Sequence, residues 1–309
     1  MDQSQRVLVA GTGKSGIAAA KLILNRGGEV VLYDGNTALD EKEIKARFEE
    51  GAKVNVVLGE IKRSDLLGVE LCIISPGIPL TSPFVAVVDE ARIPILGEVE
   101  LAYQCSAGKL AAITGTNGKT TTKELLAAVL STKYNLLYTE GNLNNQIGVP
   151  LTLLRLTHEH EMAVIEMGAS HPGDIKELVD IVQPNYGIIT NVGRAHLEGF
   201  GSFENIIKTK GELYDYIRRT KNKIFINQDN KYLTEIAKGI EQVTYGSDDT
   251  AFAWGCVVSS NPYLTFEWKQ QGKIHTVETH LIGGYNLDNA LAAVAVGRFF
   301  KIPAERISR

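Results

Sequence analysis

Apolar and polar positions alternate in two registers along the first hundred residues, one matching strands and the other helices. Arg6–Ala10 (RVLVA) is a near-continuous apolar run, as expected of a buried strand, and Ser15–Asn25 carries the spacing of a helix. Glu29–Tyr33 predicts a second strand, and Asp40–Glu50 a polar helix-period stretch. Strands near Val54–Leu58 and Leu71–Ile74 follow, then a helix over Ser82–Glu90 with Ser82 placed to cap it. Strands that alternate with helices imply βαβ units and a parallel sheet.

A second series of the same kind begins at Lys109. Leu110–Thr114, Met162–Glu166, Gly187–Thr190 and Lys223–Ile226 read as strands, with helices over Lys119–Ser131, Ile175–Ile181 and Phe203–Tyr216. From Val243 to Thr279 the runs shorten and alternate, notably Tyr263–Trp268 and Lys273–Thr279, which predicts an antiparallel extension. Asn286–Phe300 (NLDNALAAVAVGRFF) predicts a helix whose alanine-rich face packs closely. A short polar break at Ser106–Gly108 divides the chain into expected domains 1–107 and 108–309. The fold class expected is α/β: a Rossmann-like N-terminal domain, then a P-loop-type α/β central domain with a mainly parallel sheet and a small antiparallel extension.

Composition narrows the functional classes. The chain has 309 residues, 44% hydrophobic and 22% charged, enough for two cores at roughly 150 residues per domain. Its formal net charge of −4, spread along the chain, argues against a nucleic-acid backbone or an anionic membrane as main partner. Three widely spaced cysteines (Cys72, Cys105, Cys256) match no metal-ligand spacing and suit a reducing, cytoplasmic setting. Met1–Arg6 is polar and runs straight into a strand, so no signal peptide is expected. No run approaches the roughly 18 apolar residues of a membrane helix.

Two glycine motifs carry the chemistry. Gly11-Thr-Gly13-Lys-Ser-Gly16 follows a strand and opens a helix, and Asp34 closes the next strand. This layout puts a helix N-terminus before a phosphate and an acid near a ribose hydroxyl. It suits a UDP-sugar as well as NAD, and equally a turn whose glycines serve only packing. Gly115-Thr116-Asn117-Gly118-Lys119-Thr120-Thr121 is the more specific motif, although residue 113 is Ile where the general P-loop pattern has Gly. Its amides and helix dipole favour the β- and γ-phosphates of ATP, Lys119 adds a point charge, and the Thr120 hydroxyl suits Mg²⁺. Glu166, at the end of a strand, is placed to hold Mg²⁺. His196 also follows a strand end, whereas His158 and His160 lie in a charged stretch. Lys208 and Lys210 read either as an exposed basic pair or as part of a site, and Gly141–Asn145 as a turn or a substrate-binding loop.

In combination, TGTNGKTTT, the Glu166 strand end, NVGRAHLEGFGS, KTKGEL and GGYNLDNALAA resemble the ATP-dependent Mur ligases of peptidoglycan synthesis over essentially the whole chain. Residues 1 to about 121, with SPGIP and ILGEVELAY, are similar to the D-glutamate-adding branch, MurD. From about Lys123 onward, GNLNNQIGVPLTLL and IEMGASHPGDI are similar to the D-alanyl-D-alanine-adding branch, MurF. The expectation is a chimera with its seam at the phosphate loop, ending before the C-terminal domain that Mur ligases close over ATP. An inactive two-domain fragment that binds ATP without turnover is the alternative.

The resemblance implies that the carboxylate of a UDP-MurNAc precursor attacks the γ-phosphate of ATP, and that an amine then attacks the acyl phosphate. It assigns Lys119, His196 and Lys210 to catalysis and Thr120, Glu166, His196 and Lys210 to the metal side, with Lys210 carbamylated. Carbamylation requires a neutral amine, so Lys210 is expected in a site that lowers its pKa. The resemblance places Asn286 and Asn289 by adenine, and Lys14, Ser15, Asp34, Asn36, Gly77 and Asn142 on the UDP-sugar. A monomer is expected.

Overall fold

Buried apolar runs form the strands of one parallel and one mainly parallel sheet in this computed structural model, which describes residues 5–75, 78–98, 100–101, 108–157, 159–194 and 197–309. The chain divides into two compact units, Met1–Ser106 with Pro150–His158, and Ala107–Val149 with Glu159–Arg309.

The first unit holds β1 (Arg6–Ala10), β2 (Glu29–Asp34), β3 (Val54–Leu58), β4 (Val69–Ile74) and β5 (Ile95–Gly97). Their order is β3-β2-β1-β4-β5, and every pairing is parallel. Leu8, Val31, Cys72, Phe84 and Val88 are among the residues that fill its core. The polar stretch after Asp40 condenses into a five-residue helix, Glu41–Lys45, capped by Asp40 through the Lys42 N–H. Ser82 does stand at the N-cap of Pro83–Glu90, but its side chain makes no capping bond. Pro83 at the first helical position supplies the preset φ instead.

The second unit holds β6 (Lys109–Thr114), β7 (Leu136–Tyr138), β8 (Met162–Glu166), β9 (Tyr186–Ile189), β10 (Lys223–Asn227), β11 (Glu241–Gly246), β12 (Ala253–Ser259), β13 (Tyr263–Gln270) and β14 (Lys273–Ile282). The order β14-β13-β12-β11-β10-β9-β6-β8-β7 places β6 between β8 and β9, so the chain leaves β6 toward one side and later returns on the other. That reversal opens a crevice at the carboxyl ends of the strands, where Ile113 pairs with Glu166 and Thr114 with Ile189. The antiparallel extension is smaller than the alternation from Val243 suggests. β11 and β12 pair in parallel, and the direction reverses only at β13 and β14.

The helix Asn286–Phe299 is buried along almost its whole length rather than on one face. Its alanines and Gly297 allow this: a Cβ at 297 would lie 2.8 Å from Val129 on the helix Lys119–Leu130. Leu126, Leu130, Phe225, Trp268 and Leu291 belong to the same core. Among the described residues no helix is long and apolar enough to cross a membrane.

Candidate functional site

β6 delivers the chain into the loop 115–118, and two glycines there are required by geometry. Gly115 has φ +149°, and a Cβ on it would sit 2.0 Å from Thr190 Oγ1. Gly118 has φ +75°, and a Cβ there would sit 2.5 Å from Asn289 Oδ1. The segment after β9 holds the loop in shape. Thr116 N–H donates to the Asn191 carbonyl (3.1 Å), and Gly193 N–H donates to Thr116 Oγ1 (2.8 Å). The Asn117 N–H donates to Asn191 Oδ1 (2.9 Å), while the Asn117 carbonyl accepts from Thr190 Oγ1 (2.6 Å) and Asn191 Nδ2 (3.0 Å). With those amides engaged, the N–H groups directed at an anion are those of the first turn of Lys119–Leu130.

Lys119 folds over its own loop, donating to the carbonyls of Gly115 (2.9 Å) and Thr116 (3.1 Å). Burial lowers its pKa, opposed by the charge of Glu166. Thr120 Oγ1 lies 3.1 and 3.3 Å from the two Glu166 carboxylate oxygens. Asn144 Nδ2 donates to Glu166 Oε1 (2.9 Å), and the Glu166 N–H donates to Thr139 Oγ1 (2.9 Å). Behind them Lys123 is wholly buried, donating to the Thr139 carbonyl (2.7 Å) and pairing with Glu124. A hydroxyl and a buried carboxylate side by side are hard oxygen donors that fit Mg²⁺. Among the described residues no three His, Cys, Asp or Glu side chains cluster as a metal site.

Lys119, Asn144, Gly168, Ser170 and Asp174 line a cleft of about 250 Å³ beside the loop. Lys210, on the helix Phe203–Arg219, is 3% exposed, with Nζ 5.6 Å from the Phe200 ring centroid. Burial, and then the Lys119 charge, push its pKa down to about 8 against the pull of Asp174 and Glu212. Lys208, two residues earlier, is exposed. Asp174 accepts from the Ser170 and His171 N–H groups; burial alone raises its pKa, but these bonds outweigh burial and leave it low.

Asn289 reaches the loop. Its Oδ1 accepts from Thr122 Oγ1 (3.0 Å), its Nδ2 donates to Asn286 Oδ1 (2.8 Å), and Asn286 Nδ2 donates to the Ile282 carbonyl (3.0 Å). Asn142 is exposed on the loop after β7. His196, His158 and Gly77 lie outside the described residues.

In the first unit Asp34 Oδ2 accepts from Thr12 N–H (3.1 Å) and Thr12 Oγ1 (2.6 Å), and Oδ1 from Asn36 N–H (3.0 Å). Burial raises its pKa, yet these bonds outweigh that and hold it low. A hollow of about 650 Å³ next to it is lined by Gly35, Thr37, Ile78, Ser82 and Phe84. Lys14 is exposed and Ser15 half-buried, with Ser15 Oγ 3.4 Å from Ser75 Oγ, which also hydrogen-bonds Glu98. Burial pushes the Glu98 carboxyl up, against the bonds from Ser75 and Ser15.

Sequence reasoning did not name Asn144, Asp174, Thr190, Asn191 or Glu98 as functional. Asn144 and Asn191 stood inside motifs already noticed, but only the register of β8 and β9 against β6 shows which asparagine turns toward the loop.

Comparisons with known proteins name a family. The profile of the Mur ligase middle domain matches residues 113–297, and that of the Mur ligase MurD-like, N-terminal domain matches residues 5–97. The UDP-N-acetylmuramoylalanine–D-glutamate ligase of Lachnoclostridium phytofermentans is 31% identical over 311 residues, covering 98% of this chain. The chain spans 65% of that relative's length. The UDP-N-acetylmuramoyl-tripeptide–D-alanyl-D-alanine ligase of Haemophilus influenzae is 41% identical over 194 residues, 60% of this chain and 41% of that one. The crystal structure of MurF ligase from Thermotoga maritima in complex with ADP shares the fold, with TM-score 0.63 and 22% identity over 99% of this chain and 66% of that one.

Proposed function

Because the chain belongs to the Mur ligase family, we propose that it binds ATP and Mg²⁺ in its second unit and activates the carboxylate of a UDP-MurNAc precursor for amide formation. The observation that carries this reading is the contact of the Thr120 hydroxyl with the Glu166 carboxylate beside Lys119, at the mouth of a strand–loop–helix. The first-turn amides and Lys119 bind the β- and γ-phosphates; Thr120 and Glu166 hold the metal. Bound there, Mg²⁺ supplies positive charge to the phosphate oxygens. The precursor carboxylate attacks the γ-phosphorus in line and ADP leaves; an amine then attacks the acyl carbon and phosphate leaves.

Lys210, with its pKa near 8, has the neutral amine that adds CO₂. An N–C bond forms, a proton is released, and the resulting carbamate offers oxygens to the metal side, where the resemblance also puts His196. Asn286 and Asn289 serve the adenine side. The precursor's diphosphate and uracil are assigned to Gly11–Gly16, with Lys14, Ser15, Asp34, Asn36 and Gly77, and the resemblance assigns Asn142 to the same precursor. We read the chain as a composite, with MurD-like residues 1–107 and MurF-like residues 108–309, supported by 41% identity to a MurF-type relative over 60% of the chain. A cytoplasmic monomer is part of this reading, and the free thiols of Cys72 and Cys256 are in keeping with it.

Calorimetric titration with a non-hydrolysable ATP analogue and Mg²⁺ tests the proposal. Lys119→Ala is expected to lose at least tenfold in affinity, the loss of one charge-assisted contact; unchanged affinity sinks the ligase reading. ADP release in the presence of UDP-MurNAc-L-Ala separates turnover from binding alone.

A further inference from the structure

Glu98 is wholly buried in the first unit, and among the described residues no cation counters the burial that pushes its carboxyl up. It follows β5 and lies behind the glycine turn. Ser75 Oγ hydrogen-bonds its Oε1, whereas Oε2 has no partner among the described residues. A Cβ on Gly11 would be 3.0 Å from Ser75 Oγ, so this hydroxyl lies directly against the turn. Ser75 and Ser15, both half-buried, stand between the carboxyl and the N-terminus of the helix Lys14–Asn25. A buried carboxylate bonded by hydroxyls alone is costly, and a pair of serines that can transmit a hydrogen-bond direction gives it a use.

The direction of those bonds depends on one proton. An ionised carboxylate only accepts, so Ser75 and Ser15 must both point their hydrogens inward and show lone pairs to an arriving anion. A protonated Glu98 instead donates to Ser75 Oγ. Ser75 then donates to Ser15 Oγ, 3.4 Å away, and the Ser15 hydrogen turns outward. We propose that Glu98 is a positioning residue that takes one proton from solvent when a nucleoside diphosphate sugar binds at the glycine turn, turning the Ser75–Ser15 hydroxyls to donate to the diphosphate. This rests on reading that turn as the diphosphate site. The other titratable groups on the surrounding elements do not compete. Lys14 and Glu100 are exposed, and Asp34 is bonded by Thr12 and Asn36. Cys72 has its thiol pushed up to about 12 by burial and then by Asp89.

UDP-N-acetylglucosamine is the probe, because its diphosphate is a diester whose charge is constant across the range. Titrating wild type and Glu98→Gln calorimetrically from about pH 6 to 9, in buffers of different ionisation enthalpy, measures affinity and proton uptake together. Wild-type affinity is expected to fall by up to about tenfold per pH unit above the free carboxyl's pKa, with uptake approaching one proton per ligand. Glu98→Gln, whose amide always donates to Ser75, is expected to bind with a flat profile. Parallel profiles for the two proteins overturn the inference, as does equal weakening at every pH, which marks a purely structural role. Should the variant misfold, absence of proton uptake by the wild type is decisive on its own. Binding by neither protein at any pH overturns the diphosphate reading itself, and this inference with it.

Discussion

Lys210 shows how much a single burial decision changes. KTKGEL left its two lysines open, and the structure separates them: Lys208 is in water, while Lys210 is enclosed near a second ammonium. A base whose pKa falls to about 8 on folding binds fewer protons native than unfolded, between that value and 10.5. Stability therefore rises with pH across this window as the penalty on the native ammonium disappears. In carbonate-free buffer Lys210→Met should be more stable than wild type at pH 7, by roughly 1–3 kcal/mol, with the difference shrinking by about pH 10. Denaturant melts at pH 7 and 9.5 check this; an equal offset at both argues that packing, not charge, is responsible. The same residue marks a limit of sequence reading. Spacing places Lys210 on a helix, but only the packed neighbours at Phe200, Lys119 and Asp174 make its amine unusual.

Elements whose apolar runs are long and buried on both faces were readable directly: β1, β2, β6, β8 and the helix Lys119–Leu130 stand where the pattern puts them. Three-residue strands such as β5 and β7 were not, because so short a run carries no period. The alternation from Val243 misled about pairing direction for a related reason, since period two is shared by parallel and antiparallel strands. The glycine loop between β6 and the helix Lys119–Leu130 was readable too, whereas its frame was not. Asn191 makes two bonds to the Asn117 backbone across 74 positions of sequence, a partnership visible only once β9 lies beside β6. At about 1 kcal/mol per bond, Asn191→Ala is expected to weaken ADP binding roughly ten- to thirtyfold. Calorimetry reads this directly, and an unaltered Kd means that the loop holds its shape without Asn191.

Each of the two units has its own core and its own glycine turn, which makes the proposed ligands separable probes. If the units melt in separate transitions, ADP with Mg²⁺ is expected to raise only the one belonging to 107–149 with 159–309, and UDP-N-acetylglucosamine only the other. Saturation at a hundredfold over Kd adds about 2.7 kcal/mol to the unit that binds. Calorimetric scans with each ligand test the assignment, and a shift of the wrong transition reverses it. The crevice beside β6 is itself assembled from far-separated stretches: the loop at Gly115, Asn144, Glu166, Asn191, Lys210 and, last along the chain, Asn289. No single stretch of the chain holds all of it. On the proposed reading, nucleotide affinity requires all of these stretches together, and a chain not yet extended through Asn289 lacks the side chain that accepts from Thr122 and abuts Gly118.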